Sequence, residues 1–347
     1  MVKASWILFF LLVFSGYVES KPRILVIATG GTIAGVTNVS GGSAYNAAKL
    51  PIYTLIKAVP QASEIAELSG EQLAQVASQA MTNEIWLKLA RRINEVFASD
   101  AIDGVVVTHG TDTLEETAYF LNLTVHSKRP VVVVGAMRPA NGLSADGPKN
   151  LYDAVVVASD QLSQDQGVLV VMNDRIHSAR DVVKMDTTNT DAFQSEPWGV
   201  LGAVYNGRAI YHRKVVRKHT SESEFSKLNE SLPRVDIIYG HAQHNPDVVA
   251  SAVKNGAKGI VMAGVGNGNL FPQTEAALIE ARKKGLVIVR SSRVAIGGTT
   301  PDAEVDDRKN GFIVSDSLNP QKARVLLCLA LTKTNDREQI QEMFYKY

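Results

Sequence analysis

Five apolar or small residues, Ile24 to Ala28, give way at once to the polar turn Thr29-Gly30-Gly31-Thr32. The same arrangement returns along the first half of the chain. Gly104 to Val107 ends in Thr108-His109-Gly110-Thr111-Asp112-Thr113, Pro130 to Val134 ends in Gly135-Ala136-Met137-Arg138-Pro139, and Gly167 to Met172 ends in Asn173-Asp174. Short apolar runs bounded by turn residues predict strands buried on both faces. Between the runs, Glu84 to Phe97 puts Ile85, Leu87, Leu89, Ile93, Val96 and Phe97 on one helical face with Arg91 and Arg92 outside it, and a second helix is predicted over Glu115 to Leu123. Strands alternating with helices at this spacing predict a large α/β domain around a doubly wound, mainly parallel sheet. The turns that close such strands are where open α/β sheets bind small molecules, and the first one would present the hydroxyls of Thr29 and Thr32.

Elsewhere the pattern is weaker. Val36 to Leu50 is rich in Gly, Ser, Asn and Ala, lacks apolar periodicity and carries one large aromatic residue, Tyr45; it reads as a mobile loop. Arg213 to Arg234 is charged and serine-rich and reads as a linker. Beyond it, strands over Val235 to Tyr239, Gly259 to Ala263 and Leu286 to Arg290, a helix over Thr274 to Lys284 and a terminal helix over Pro320 to Leu331 predict a smaller α/β unit. The expected division is a leader over 1–20, a larger domain over 21–212, a linker over 213–234 and a smaller domain over 235–347.

The leader follows from Lys3, the apolar stretch Trp6 to Phe14, too short to span a bilayer comfortably, and Val18-Glu19-Ser20 with small residues at the cleavage positions. It predicts export, with cleavage before Lys21. No later run is long enough to cross a membrane. With 36 basic and 35 acidic residues the net charge is +1, so nothing in the balance points to nucleic acid or an anionic membrane. The single cysteine, Cys328, stands in the apolar run Val325 to Leu331 and reads as a buried small hydrophobe. The glycines at 30, 31 and 35 miss the dinucleotide spacing, and no lysine follows Gly35 as a P-loop requires. His241 and His244 lack an acidic or cysteine ligand at a characteristic spacing, so no metal is expected. Asn122-Leu123-Thr124 and Asn229-Glu230-Ser231 fit the glycosylation acceptor.

From Pro22 to Tyr347 the chain closely resembles the bacterial type II L-asparaginases. The likeness is carried by Ala28-Thr29-Gly30-Gly31-Thr32-Ile33-Ala34-Gly35, by Val107 to Thr113 with Glu115-Glu116-Thr117, by Gly135 to Pro139, by Ser144 to Pro148, by Gly264 to Asn269 and by Arg290 to Arg293. It implies hydrolysis of the side-chain amide of free L-asparagine to aspartate and ammonia, without a cofactor or metal. An exported member of this family would work in the periplasm.

The resemblance also implies roles. Thr32 would be the nucleophile, with Tyr45 as its partner on the mobile loop. Thr111, Asp112 and Lys184 would form a second group across the scissile amide; without the resemblance, Lys184 would be read as a surface charge. A threonine hydroxyl attacks an amide only if a neighbour takes its proton, and a lysine desolvated beside a carboxylate can relay one. Asp112, Ser78 and Gln79 would grip the ammonium and carboxylate of the substrate, helped by main-chain amides near Gly110 and Thr111, and the carbonyl of Ala136 would line the reacting end. Asn269 and Glu304 would reach in from a neighbouring subunit, which implies a homotetramer built from intimate dimers. The chain departs from the family's usual pattern at Ala77 and Ala80, which flank the Ser-Gln pair, and lacks the cysteine pair of some members. Gln79, where more glutaminase-active relatives have Glu, predicts a preference for asparagine over glutamine. The rivals are a broad glutaminase-asparaginase, an amidase for asparaginyl peptides and a periplasmic amino-acid binding protein.

Overall fold

A computed structural model of the chain describes residues 20–37, 45–225, 227 and 231–347, with main chain alone at Tyr45. The predicted leader up to residue 19, the middle of the 36–50 loop and Asn229 of the second acceptor fall outside those residues. The larger sheet has eight strands, in the order Arg208–Tyr211, Gly202–Tyr205, Arg175–Ser178, Val168–Met172, Val131–Val134, Gly104–Thr108, Arg23–Gly30 and Glu67–Val76. The last five run parallel, and the first three are antiparallel additions at one edge. The apolar runs therefore sit side by side at the centre, where both faces are covered and a side chain of either parity is buried.

The strand Glu67–Val76 departs from the sequence expectation, which had no strand there. It is the edge strand, only Leu73 along it is buried, and so neither an apolar run nor a clean alternation marks it. It matters because it pairs with Arg23–Gly30 and ends at Val76, two residues before Ser78.

The smaller sheet is parallel, in the order Val235–Tyr239, Gly259–Gly264, Val287–Ser292 and Ile313–Val314. Pro320–Ala330 is not the terminal helix that the sequence suggested. Arg337–Lys346 follows it, a polar helix that buries only Ile340, Met343 and Phe344. Pro320–Ala330 lies between the two sheets, packed on the helix Leu114–Thr124 on one side and on Val235–Tyr239 and Gly259–Gly264 on the other. Leu114–Thr124 is accordingly buried on nearly every face. One apolar core runs through this contact, from Ile24 and Val106 to Leu326 and Val261.

Within 213–234 the described residues contain one short turn, Thr220–Glu222, and Ser223 Oγ donates to the Leu123 carbonyl at 2.5 Å. Asn122 is buried and accepts from the Val168 amide at 2.9 Å, which removes it as a glycosylation acceptor. Cys328 is buried, and burial pushes its thiol up to about 11. Among the described residues no helix is long and apolar enough to cross a membrane.

Candidate active site

Two glycine-bearing turns meet at the carboxyl ends of neighbouring parallel strands. Gly30 and Gly31 have φ of 122° and 85°, angles that other residues rarely adopt. A Cβ on Gly31 would run into the main chain of Gly110, and one on Gly110 would stand 2.7 Å from Ser78 Oγ. Three chain segments thus converge with no side chain between them, and Thr32, Thr111 and Ser78 are all held within a residue of the contact. Thr32, Gly31, Ser78, Gln79 and Asp112 line one open cavity of about 380 Å³ with Asn46, Ala47, Ala77 and Lys49. That volume suits a ligand the size of a free amino acid. Thr32 in its wall and Thr111 next to Asp112 are buried, while Gln79 and Asp112 are exposed.

Lys184 is brought to the same place from the two-residue strand Val183–Lys184, which pairs only with Phe193–Gln194. Its Nζ donates to Thr111 Oγ1 at 3.0 Å and to Asp112 Oδ1 at 2.7 Å. The Asp112 amide donates to Ser78 Oγ at 3.2 Å, and Thr113 Oγ1 donates to the Ser78 carbonyl at 2.8 Å. Ser78 Oγ accepts there, so its own hydrogen can point into the cavity. Thr29, the other hydroxyl expected at the first turn, instead donates to the Thr108 carbonyl at 2.9 Å and fastens one strand end to the next.

Beneath Thr111 a buried chain of hydrogen bonds fixes the turn. Trp86 Nε1 donates to Thr117 Oγ1 at 2.7 Å, Thr117 Oγ1 lies 2.8 Å from His109 Nε2, and His109 Nδ1 lies 2.7 Å from the Gly110 carbonyl. A carbonyl can only accept, so Nδ1 carries the proton and Nε2 accepts from Thr117. Burial lowers the His109 pKa to about 4, which keeps the ring neutral.

Ala136 is buried next to Gly135, whose added Cβ would meet the Thr111 methyl at 3.1 Å. The amides of Met137 and Arg138 donate to the two carboxylate oxygens of Asp146, each at 2.9 Å, and the Gly31 amide donates to the Val76 carbonyl at 3.1 Å. None of these three amides is therefore a ready oxyanion donor. Lys49, Asn46 and Asp146 escaped the sequence reading, since nothing in a polar loop separates a cavity wall from a solvated tip.

Two expected site residues do not join the cavity of their own chain. Asn269 closes a tight turn with Val265 after the strand Gly259–Gly264, its Oδ1 buried without a partner. Glu304 is exposed on a separate cleft with Asp302, Ala303, Asp306, Arg308 and Lys309. The side chain of Tyr45 lies outside the described residues; its main chain pairs with Thr37. Among the described residues no three His, Cys, Asp or Glu side chains gather as metal ligands. The rings of His241 and His244 stand 5.0 Å apart, and His244 Nδ1 is 2.8 Å from the Thr274 hydroxyl.

Comparison with known proteins agrees with this architecture. Residues 23–217 match the family model "Asparaginase, N-terminal", and residues 234–344 match "Glutaminase/Asparaginase C-terminal domain". The chain is 52% identical over 336 residues to L-asparaginase 2 of Escherichia coli, covering 96% of each protein. It is 49% identical to the glutaminase-asparaginase of Acinetobacter glutaminasificans, covering 94% of this chain and all of that one. The crystal structure of a probable cytoplasmic L-asparaginase from Campylobacter jejuni superposes with a TM-score of 0.91 at 49% identity, over 94% of this chain and 100% of the other. With two glycine turns joined around one small polar cavity, and with family models matching nearly all of its length, the chain belongs to the asparaginase family.

Proposed function

We propose that the protein hydrolyses the side-chain amide of free L-asparagine to L-aspartate and ammonia, with L-glutamine as a minor substrate. The observation that supports this reading is the Gly31–Gly110 contact beside one cavity lined by Thr32 and by Asp112, the carboxylate that Lys184 bonds together with Thr111. Thr32 Oγ1 attacks the amide carbon, its proton passing to the partner base, and the carbonyl oxygen takes up the charge. The C–N bond then breaks with a proton delivered to nitrogen, ammonia leaves, and water hydrolyses the aspartyl ester on Thr32. Thr111, hydrogen-bonded to Lys184, would pass protons on the side of the amide away from Thr32. Tyr45 would serve Thr32 from the loop. Asp112, Ser78 and Gln79 bind the amino-acid end, whose charges cost several kcal/mol if left unpaired in a closed site.

Asn269 and Glu304, which do not line their own chain's cavity, would complete a neighbour's site in a homotetramer of intimate dimers. The leader sequence and the relative from Haemophilus influenzae described as a probable periplasmic L-asparaginase favour a periplasmic location. Ammonia release from L-asparagine, L-glutamine and an asparaginyl peptide tests the reading. Asparagine is expected to give the highest kcat/KM. Binding without ammonia would point to an amino-acid binding protein, and equal rates on both free amides to a broad glutaminase-asparaginase.

A further inference from the structure

We propose that Lys322 is a positioning residue for this reaction: from the helix Pro320–Ala330, its ammonium ties the segment that carries Lys184 to the helix that follows Thr111 and Asp112. The inference rests on the proposed roles of those three residues. Lys322 is fully buried, which is rare for lysine, because taking an ammonium out of water costs several kcal/mol unless acceptors and a counter-charge replace the solvent. Here they do. Nζ donates to the Arg180 carbonyl at 2.8 Å and to the Val182 carbonyl, and it faces Glu115 Oε2 at 3.7 Å. Glu115 is itself buried and accepts from Asn319 Nδ2 at 2.9 Å and Gln321 Nε2 at 3.2 Å. Two hydrogens of the ammonium thus have carbonyl acceptors, and the Glu115 carboxylate, too far for a hydrogen bond, supplies the counter-charge. Burial draws the Lys322 pKa down to about 8, with Glu115 pulling the other way.

What the ammonium holds decides its meaning. Val182 is two residues before Lys184, and Glu115 is three after Asp112, in the first turn of Leu114–Thr124. Lys322 thus grips both ends of the Lys184–Thr111 and Lys184–Asp112 contacts from behind the sheet. Such an anchor is needed because Val183–Lys184 belongs to a pair of two-residue strands outside the main sheet, too small to set a side chain's reach by itself. The same segment is held through its side chain as well. Arg180 Nε donates to the Tyr347 main-chain oxygen at 2.8 Å, Nη1 to Ser317 Oγ at 3.0 Å and Nη2 to Asp316 Oδ2 at 3.2 Å. The smaller domain, which contributes no residue to the lining of its own chain's cavity, supports that cavity by holding 180–182.

Lys322→Met keeps the stem and removes the ammonium, but it strands the Glu115 carboxylate. The double variant Lys322→Met with Glu115→Gln removes that charge too, so that folding and positioning separate. In the full chain, kcat for L-asparagine is expected to fall roughly ten- to a hundred-fold in both variants, the scale of a misplacement near 1 Å, with KM within about three-fold. The melting temperature should drop in the single variant and recover in part in the double, which still leaves the Arg180 and Val182 carbonyls without their donor. A double variant with the unmodified kcat, or a loss confined to KM, would overturn the proposal. Lys184→Met assayed alongside keeps the two readings apart. If it turns over normally, the proposed role of Lys184 is at fault; if it is inactive while the double variant is fully active, only the role of Lys322 falls.

Discussion

Two basic–acidic pairs, one in each domain, use the same chemistry to opposite ends. Arg290 and Asp307 are 1% and 2% exposed, bonded at 2.5 and 2.6 Å, with the remaining guanidinium hydrogens on the carbonyls of Asn267, Gly268 and Thr300. Every donor is used, and no ligand could enter without breaking a bond. Lys184 and Asp112 are 16% and 59% exposed and meet at the mouth of a cavity. One hydrogen of Lys184 bonds Thr111, one bonds Asp112, and a third remains for chemistry. A saturated pair holds a fold, whereas a pair with capacity left over at a cavity can act on a ligand.

Substitutions on either side should sharpen that contrast, beginning with the largest effect. Thr32→Ala removes the proposed attacking oxygen and should lower kcat by on the order of 10⁴, while L-aspartate binding, followed by calorimetry, persists. Arg290→Met strands a buried carboxylate and three carbonyls, and should cost about 3–5 kcal/mol in urea unfolding. Lys184→Met should do the reverse. Its kcat should fall by about 10²–10³, yet its unfolding free energy should change by less than about 1 kcal/mol, because Asp112 is left in solvent. Gly110→Ala would force Ser78 and Gly31 apart, and a loss of roughly 1–3 kcal/mol together with weaker substrate binding is expected.

The smallest effect should be a pH dependence behind the site. Burial raises the Glu116 carboxyl to about 7, above its unfolded value of 4.5. Between those values the folded state holds the extra proton, so this group's contribution to stability is present below pH 4.5 and is lost as pH rises through 7. Glu116→Gln should gain steadily on the unmodified protein as pH rises from 4.5 to 8, read from urea midpoints. A constant difference across that range would contradict the assignment.

The central strands were legible because burial on both faces leaves an unbroken apolar run, as in Val131–Val134. Glu67–Val76 and Arg337–Lys346 were not, since an edge strand and a helix with three buried side chains lack the contrast that periodicity needs. At the site, the glycine turns could be seen locally. Their contact could not, because nothing in either turn says that Gly31 will lie on Gly110. Lys184 was reached only through family resemblance, its neighbours Asp181 and Arg180 giving it the look of a surface charge. Lys322 gave no warning at all; a lysine at a helix start reads as solvated, and only tertiary packing shows otherwise.

The most direct test of the central claim is to quench the protein during turnover of L-asparagine and locate any covalently bound aspartyl group by peptide mass spectrometry. An ester on the oxygen of Thr32 is the predicted result. An acyl group on Thr111, or on any residue outside the first glycine turn, would contradict it.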